Sequence, residues 1–364
     1  MMGSACNWDH CINHRGAQTQ RFVADYFSQD DRRMLLVAGA GFDPRSLTVC
    51  EMIAANMGAR AKGFFIREER PNPDGALVSR AEVNLNRMQV LLPANETVII
   101  DVFAADGAAI GGRNGVLLID RLSFKEITDI VVDFSALSIG VAFPIVSHLF
   151  SKFKHGPKKL NLHLMVTDEP LTDHLIVPTA SDTAETIHGF KGGLGLDQNA
   201  NAAKLWLPQL VAGRNAIFEK IHEFVKPHDV CPILPFPSSH PRLQDELIQS
   251  YSAEFESTWQ VDTRNLVYAG EKNPLDLYRT ILRIGDLRSR VFAEVGGSLI
   301  ILSPIGSKVL AIGALMAAIE RGFAVAHVEA IQYTVNLEEI DKRRPAPGEI
   351  LHVWLSGETY PHMT

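Results

Sequence analysis

Apolar and polar positions follow one another in blocks that predict strands alternating with helices. Short apolar runs bounded by turn residues are typical of buried parallel strands, and stretches with helical spacing separate them. In the first half of the chain the predicted strands are residues 34–38, 61–66, 97–102, 130–133 and 160–166. The helices predicted between them are 46–57, 77–91, 110–122 and 139–154. This succession predicts a doubly wound α/β fold with a mainly parallel sheet.

The alternation fades over residues 170–203 and then restarts. The later predicted strands are 205–210, 230–234, 266–269, 299–302 and 324–329, with helices at 214–225, 243–255, 274–294 and 309–321. We therefore predict two tandem Rossmann-like lobes, 20–169 and 204–364, joined by a linker or functional loop, 170–203, and preceded by a flexible arm, 1–19.

A weak internal repeat accompanies this division. Residues 129–135 form an apolar strand that ends in a serine ahead of a helix, and residues 298–303 repeat the layout. An internal duplication explains the repeat. Two unrelated doubly wound lobes with the same succession of strand, turn and helix also explain it.

Composition narrows the class of protein. In 364 residues, 46% are hydrophobic and 21% charged, which is typical of a globular fold with a large core. A net charge of −7 argues against a nucleic-acid partner. The most apolar stretches, 127–150 and 299–319, both carry charges, so we expect no membrane segment.

Four cysteines lie at irregular positions, which predicts no disulfide framework and favours a cytoplasmic protein. Two of them, Cys6 and Cys11, lie close to His10 and His14. Such a short arc does not easily wrap a tetrahedral ion, so no zinc site is predicted there.

A glycine-containing turn follows the first strand. Gly39 and Gly41 precede Asp43, Pro44 and Arg45. Glycines let the backbone approach a ligand, and the N–H groups of a following helix attract anions. A purely structural interpretation is equally open: the glycines make a tight turn, Asp43 caps the helix, and Arg45 pairs nearby.

Residues 36–45 resemble the first motif of Rossmann-type methyltransferases. The resemblance implies an S-adenosylmethionine or nucleotide cofactor held by this turn. An acidic residue at the end of the second strand, Glu68 or Glu69, would then bind the ribose.

A second turn combines a cation, hydroxyls and a helix start. Ser303, Gly306, Ser307 and Lys308 lie between an apolar strand and an Ala- and Leu-rich helix. Lysine is unfavourable in the first turn of a helix, so a phosphate or carboxylate partner would explain it. The alternative is a lysine that reaches a surface carboxylate of its own chain.

Residues 298–330 resemble the corresponding segment of CRISPR-associated Rossmann (CARF) ligand-sensing domains. In those domains such a turn holds the phosphates of a cyclic oligoadenylate. The resemblance implies a cyclic oligonucleotide ligand and a place in a prokaryotic defence or signalling assembly.

A proline-stiffened turn follows the strand predicted at 230–234. It carries Ser238, His240 and Arg242. Because ligands of open α/β sheets lie beyond the carboxyl ends of the strands, we expect these side chains to face the crevice of Ser307 and Lys308.

Three functions remain open. The first is a sensor that binds a phosphate-bearing nucleotide, and the second is a transferase that uses the Gly39–Arg45 turn. The third is a structural subunit whose segment 350–360 adds an edge strand to a protein partner. The sequence contains no recognisable catalytic motif, so no catalytic residue is assigned.

Overall fold

A computed structural model describes residues 6–154, 160–342 and 348–360. It divides the chain into two compact units. Unit 1 consists of the chain up to Thr179 and from Ala330 onward, and unit 2 is Ala180–Glu329. The division differs from the predicted lobes, because the end of the chain returns to unit 1.

The strands in chain order are β1 (Asn13–Arg15), β2 (Met34–Gly39), β3 (Ala61–Glu69), β4 (Asn95–Asp101), β5 (Asp129–Asp133), β6 (Asn161–Asp168), β7 (Ile176–Ala180), β8 (Glu185–Thr186), β9 (Ala203–Pro208), β10 (Asp229–Val230), β11 (Ile233–Pro235), β12 (Val267–Ala269), β13 (Ser298–Ser303), β14 (Ala324–His327), β15 (Ala330–Val335) and β16 (Glu349–Ser356).

The α-helices are α1 (Ala17–Phe22), α2 (Thr48–Met57), α3 (Gly75–Leu91), α4 (Gly111–Asp120), α5 (Ile139–Lys154), α6 (Pro170–Asp173), α7 (Asn215–Val225), α8 (Leu243–Ser250), α9 (Pro274–Phe292), α10 (Lys308–Arg321) and α11 (Leu337–Lys342). Helices therefore connect successive parallel strands, as the hydrophobic pattern predicts.

Unit 1 is built on a seven-stranded sheet of order β1-β16-β6-β5-β2-β3-β4. Strands β2 to β6 are parallel, and β2 pairs with both β3 and β5. Numbered along the chain, these five strands lie in the order 3-2-1-4-5, which is that of a doubly wound fold. All six residues of β2 are buried, because helices cover a parallel sheet on both faces. Unit 1 is thus α/β with a mainly parallel, mixed sheet, which is compatible with a Rossmann-like fold.

The first described residues are packed into unit 1 and do not form an arm. Trp8 is fully buried, and its indole N–H donates to the carbonyl of Leu355 at 2.8 Å. Strand β1 pairs antiparallel with β16 from Asn13 to Arg15. The prediction of a flexible arm over 1–19 therefore fails for residues 6–19; residues 1–5 lie outside the described chain.

The C-terminal segment lies inside the sheet of unit 1. Strand β16 pairs antiparallel with β6 from Glu349, and β1 covers its other edge. Both edges are paired, so β16 offers no free edge to a partner, contrary to the expectation for 350–360. The assignment of this segment to the second lobe is corrected for the same reason.

Unit 2 has a five-stranded sheet of order β10-β9-β13-β14-β8 and a parallel pair, β11-β12. A single bridge between Gln209 and Ile233 joins β9 to β11. The parallel strands then follow the order β12-β11-β9-β13-β14, again 3-2-1-4-5 when numbered along the chain. One face packs around Trp206, Phe218, Tyr251 and Trp259.

Residues 170–203, predicted as a linker or functional loop, contain regular structure. Helix α6 and strand β7 are followed by β8, which pairs antiparallel with β14. Strand β7 pairs with β15 in a two-stranded sheet. No helix within the described residues is long and apolar enough to cross a bilayer.

Candidate functional site

Each unit has one position where a doubly wound sheet normally binds ligands. There the first and fourth strands lie side by side, and a crevice opens beyond their carboxyl ends. In unit 1 this position lies between β2 and β5, and in unit 2 between β9 and β13. The candidate residues Gly39 to Arg45 and Ser303 to Lys308 lie at these two positions.

At the end of β2 in unit 1, the protein's own backbone lies close to Gly39. A Cβ placed on Gly39 would lie 2.8 Å from the carbonyl carbon of Ala136 and 2.9 Å from the backbone nitrogen of Leu137. The chain that leaves β5 therefore packs directly on the end of β2. Gly39 is required by this close approach, whether or not a ligand binds.

Asp43 and Arg45 form an ion pair with each other. Asp43 caps the 3-10 helix Pro44–Leu47 by accepting from the Arg45 backbone N–H at 2.9 Å. The Arg45 guanidinium lies 2.7 Å from Asp43 Oδ2 and 2.6 Å from Asp173 Oδ1. Burial disfavours the charged guanidinium, but the two carboxylates outweigh it and raise the pKa of Arg45. Only 5% of Arg45 is exposed, so this ion pair belongs to the core.

Gly41 and the acidic candidates of β3 are also engaged within unit 1. The Gly41 carbonyl accepts from the Asn84 side chain at 2.9 Å. Glu68 accepts from the Ser138 backbone N–H and from Arg70, both at 2.8 Å, and Glu69 pairs with Arg67. These contacts agree with the structural interpretation of the turn.

Ser303 has a structural role in unit 2. It is fully buried, accepts from the Trp206 indole N–H at 2.9 Å and donates to the Ala326 carbonyl at 2.9 Å. Its hydroxyl thereby links β9, β13 and β14.

The remaining turn residues form the start of α10. The Ser307 hydroxyl accepts from the Val309 backbone N–H at 3.2 Å and caps the helix, whose first turn contains no acidic residue. Lys308 is the first residue of this 14-residue helix and is half-buried. A Cβ on Gly306 would lie 3.6 Å from Val211 Cβ and 3.7 Å from the Leu210 carbonyl. The turn therefore lies against the connection that leaves β9, at the switch point of unit 2.

Gln209 is the residue at this position that the sequence analysis missed. It follows β9 directly, and its backbone N–H donates to the Ser303 carbonyl at 3.0 Å. Only 2% of the residue is exposed, and neither atom of its side-chain amide has a hydrogen-bond partner among the described residues. Burying an amide without partners costs about 1–3 kcal/mol. No sequence signal marks Gln209, because the lack of a hydrogen-bond partner for its amide depends on which groups the fold places around it.

Ser238, His240 and Arg242 are held within their own turn. The Ser238 hydroxyl donates to the His240 carbonyl at 2.6 Å, and His240 lies 3.8 Å from Glu246. Arg242 is exposed at the start of α8. These contacts do not extend to Ser307 or Lys308, so a shared crevice remains a prediction.

Metal ligands are not grouped in the described residues: no set of three or more His, Cys, Asp or Glu side chains is placed to hold an ion. His14, considered above with Cys6 and Cys11, lies within hydrogen-bond distance of His352, with 2.9 Å between their Nδ1 atoms.

Comparison with known proteins identifies no family for this chain. No protein-family model and no curated protein matches the chain. Among solved structures, the crystal structure of the cytoplasmic domain of a prokaryotic cation chloride cotransporter is similar at 12% sequence identity. The similarity covers 84% of this chain and 95% of that one, with a TM-score of 0.25. At that score it carries no argument about fold or function.

Proposed function

We propose that this protein binds a phosphate-bearing nucleotide at the carboxyl edge of the unit 2 sheet, between β9 and the start of α10. The unpartnered side-chain amide of Gln209 is the observation that carries the proposal. A ligand that bonds to this amide returns the free energy lost by burying it, and the ligand's phosphate gains the donors and positive end of α10.

The charge at this position suits an anion. Lys308 lies in the first turn of α10, at the positive end of the helix dipole. A phosphate beside Ser307 and Lys308 would interact favourably with the lysine and with the N–H groups of the helix start. The amide atoms of Gln209 are shielded from solvent, so a ligand reaches them only if the groups that cover them shift.

The resemblance of residues 298–330 to CARF domains narrows the choice of nucleotide. It supports a cyclic oligonucleotide as the ligand and a sensing role in prokaryotic defence or signalling. The same strand order in both units supports an internal duplication, in which the copy in unit 2 has kept the ligand site.

Thermal stability against a panel of ligands tests the proposal. The panel contains ATP, NAD, S-adenosylmethionine and cyclic oligoadenylates, with wild-type protein, Gln209→Leu and Lys308→Ala. A ligand at about 100 times its Kd stabilises the folded protein by about 2.7 kcal/mol, which is readily measured. We expect a cyclic oligoadenylate or another nucleotide to raise the Tm of the wild type and to have little effect on either variant.

Lys191→Ala removes an exposed lysine of the same unit and is the matched control, so it should keep the full shift. If a nucleotide raises the Tm of Lys308→Ala and of Gln209→Leu as much as it raises that of the wild type, the proposed site is wrong. If S-adenosylmethionine alone stabilises the protein and Asp43→Ala abolishes its effect, the transferase alternative is correct. No shift with any ligand favours the structural subunit.

A further inference from the structure

Three histidines form a continuous hydrogen-bonded chain through the sheet of unit 1. His14 Nδ1 on β1 lies 2.9 Å from His352 Nδ1 on β16. His352 Nε2 lies 2.9 Å from His163 Nδ1 on β6, and His163 Nε2 lies 3.2 Å from Asp129 Oδ1 on β5. His163, His352 and Asp129 are completely buried, whereas His14 is half-buried at the outer end.

Asp129 sets the direction of every hydrogen bond in this chain. Burial alone would raise the pKa of the Asp129 carboxyl, but hydrogen bonds from His163 and Thr128 and the charge of Arg32 lower it. An ionised carboxylate only accepts, so His163 carries its proton on Nε2 and accepts at Nδ1. His352 must then donate from Nε2 and accept at Nδ1, and His14 donates from Nδ1. All three imidazoles are neutral in this arrangement.

Aromatic rings enclose the chain. The Phe22 ring of α1 stacks on His14 and His352, with centroids 4.6 and 4.4 Å away, and the Trp354 ring lies 4.7 Å from His163. The other titratable or charged groups at the inner end are Arg32, Tyr26 and Glu358. Arg32 lies 3.8 Å from Asp129 and pairs with Glu358, which also accepts from Tyr26. The charges of Arg32 and Glu358 offset each other, and the Asp129 carboxylate acts on His163, so a proton on His14 or His352 adds a charge to which no carboxylate of the described residues is hydrogen-bonded.

We propose that this histidine chain is a proton-sensitive latch that holds the N-terminal segment, β1 and α1, against β16 at neutral pH and releases it in acid. When β1 leaves β16, His14 and His352 reach water and take up protons below a pH of about 6.5. The docked state resists the same protons, because burial lowers the pKa of His14 and lowers that of His352 well below its usual range. Docking is therefore fully favoured above pH 6.5 and weakens as the pH falls.

Hydrogen exchange of the full-length protein measures this release. Each proton taken up on opening changes the opening constant up to about tenfold per pH unit. From pH 7.5 to 5.5 we expect the protection factors of residues 13–22, corrected for intrinsic exchange, to fall about 10- to 100-fold. Helix α10 contains no histidine and serves as the internal reference.

His14→Asn tests the mechanism, because an asparagine amide donates near the position of Nδ1 but does not titrate. We expect β1 of this variant to stay docked on β16 at pH 7.5. Between pH 7.5 and 5.5 the protection factors of residues 13–22 should fall about tenfold at most. His148→Gln, which removes the surface histidine paired with Asp120, is the matched control and should behave as the wild type. The loss between pH 7.5 and 5.5 must be smaller in His14→Asn than in the wild type, because one of the two titrating groups is missing; equal losses in the two proteins, or no loss in the wild type beyond that of α10, would overturn the proposal.

A second measurement does not depend on any variant folding. Nitrogen-15 NMR of histidine-labelled protein at pH 7.5 should find protons on Nε2 of His163 and His352 and on Nδ1 of His14. A proton on Nδ1 of His163 or His352 contradicts the hydrogen-bond directions on which the latch depends.

Discussion

The two units place the same strand order around two different crevices. In unit 1 the chain after β5 packs against Gly39, and the ion pair of Asp43 and Arg45 is satisfied within the core. In unit 2 the corresponding position holds an unpartnered amide, Gln209, beside a helix start that carries Lys308. The strand order alone therefore does not reveal which crevice binds a ligand.

The Asp43–Arg45 ion pair of unit 1 is complete, whereas the amide of Gln209 in unit 2 has no hydrogen-bond partner among the described residues. In unit 1 the hydroxyls of Ser46 and Ser138 are exceptions, since they too are buried without such a partner. A buried group that already has its partners stabilises the fold and gains nothing from a ligand, whereas a buried group without partners gains a full hydrogen bond. Substitutions in unit 1 should therefore cost stability, and equivalent substitutions in unit 2 should mainly cost binding.

The largest expected difference is between Arg45→Ala and Lys308→Ala. Removing Arg45 leaves the buried Asp43 carboxylate without its guanidinium, which we expect to destabilise unit 1 by about 3–5 kcal/mol. Removing the half-buried Lys308 should change the stability of unit 2 by about 0.5 kcal/mol or less. Urea unfolding followed by hydrogen exchange of peptides from each unit separates the two effects. Similar losses in both variants would contradict the comparison.

An intermediate difference is expected between two glycines. Gly39→Ala forces a Cβ to within 2.8 Å of backbone atoms that cannot give way as a side chain does, and should cost about 1–3 kcal/mol. Gly306→Ala meets its nearest atom at 3.6 Å, an ordinary contact, and should cost about 0.5 kcal/mol or less. The same unfolding measurement checks both, and a tolerated Gly39→Ala would show that the backbone at Ala136 can move away from the end of β2.

The smallest effect is expected for the ligand-free protein with Gln209→Leu. Leucine of similar volume removes the unpartnered amide, so stability should stay the same or rise by about 1 kcal/mol. Asn84→Leu is the matched variant in unit 1, where the amide donates to the Gly41 carbonyl, and it should lose about 1–3 kcal/mol. If Gln209→Leu is destabilised as much as Asn84→Leu, Gln209 has a partner in the folded protein.

Local periodicity predicted most of the helices and strands. Helix α5 begins and ends at the predicted residues, and α7 and α10 begin one residue away from the predicted starts. The apolar residues of these helices recur at helical spacing, which a single sequence shows directly. The placement of β16 failed, because its partners β1 and β6 lie far away in the sequence and no local pattern records that pairing.

The candidate sites were predicted less completely than the fold. The sequence located both turns at strand ends, since glycines, hydroxyls and charges there are visible in a single chain. It did not distinguish the two crevices, because the difference depends on the approach of Ala136 to Gly39 and on the lack of a hydrogen-bond partner for the Gln209 amide among the described residues. The histidine chain was missed for the same reason, since β1, β6 and β16 bring its members together.

The return of the chain to unit 1 has a consequence for synthesis on the ribosome. Strand β1 is made first, but its partner β16 is made more than 300 residues later. Unit 2 is a continuous segment, so all of it leaves the ribosome while β1 still has no partner. The order of translation is therefore not the order of assembly: unit 2 can fold during synthesis, and unit 1 closes its sheet only when the last strand emerges.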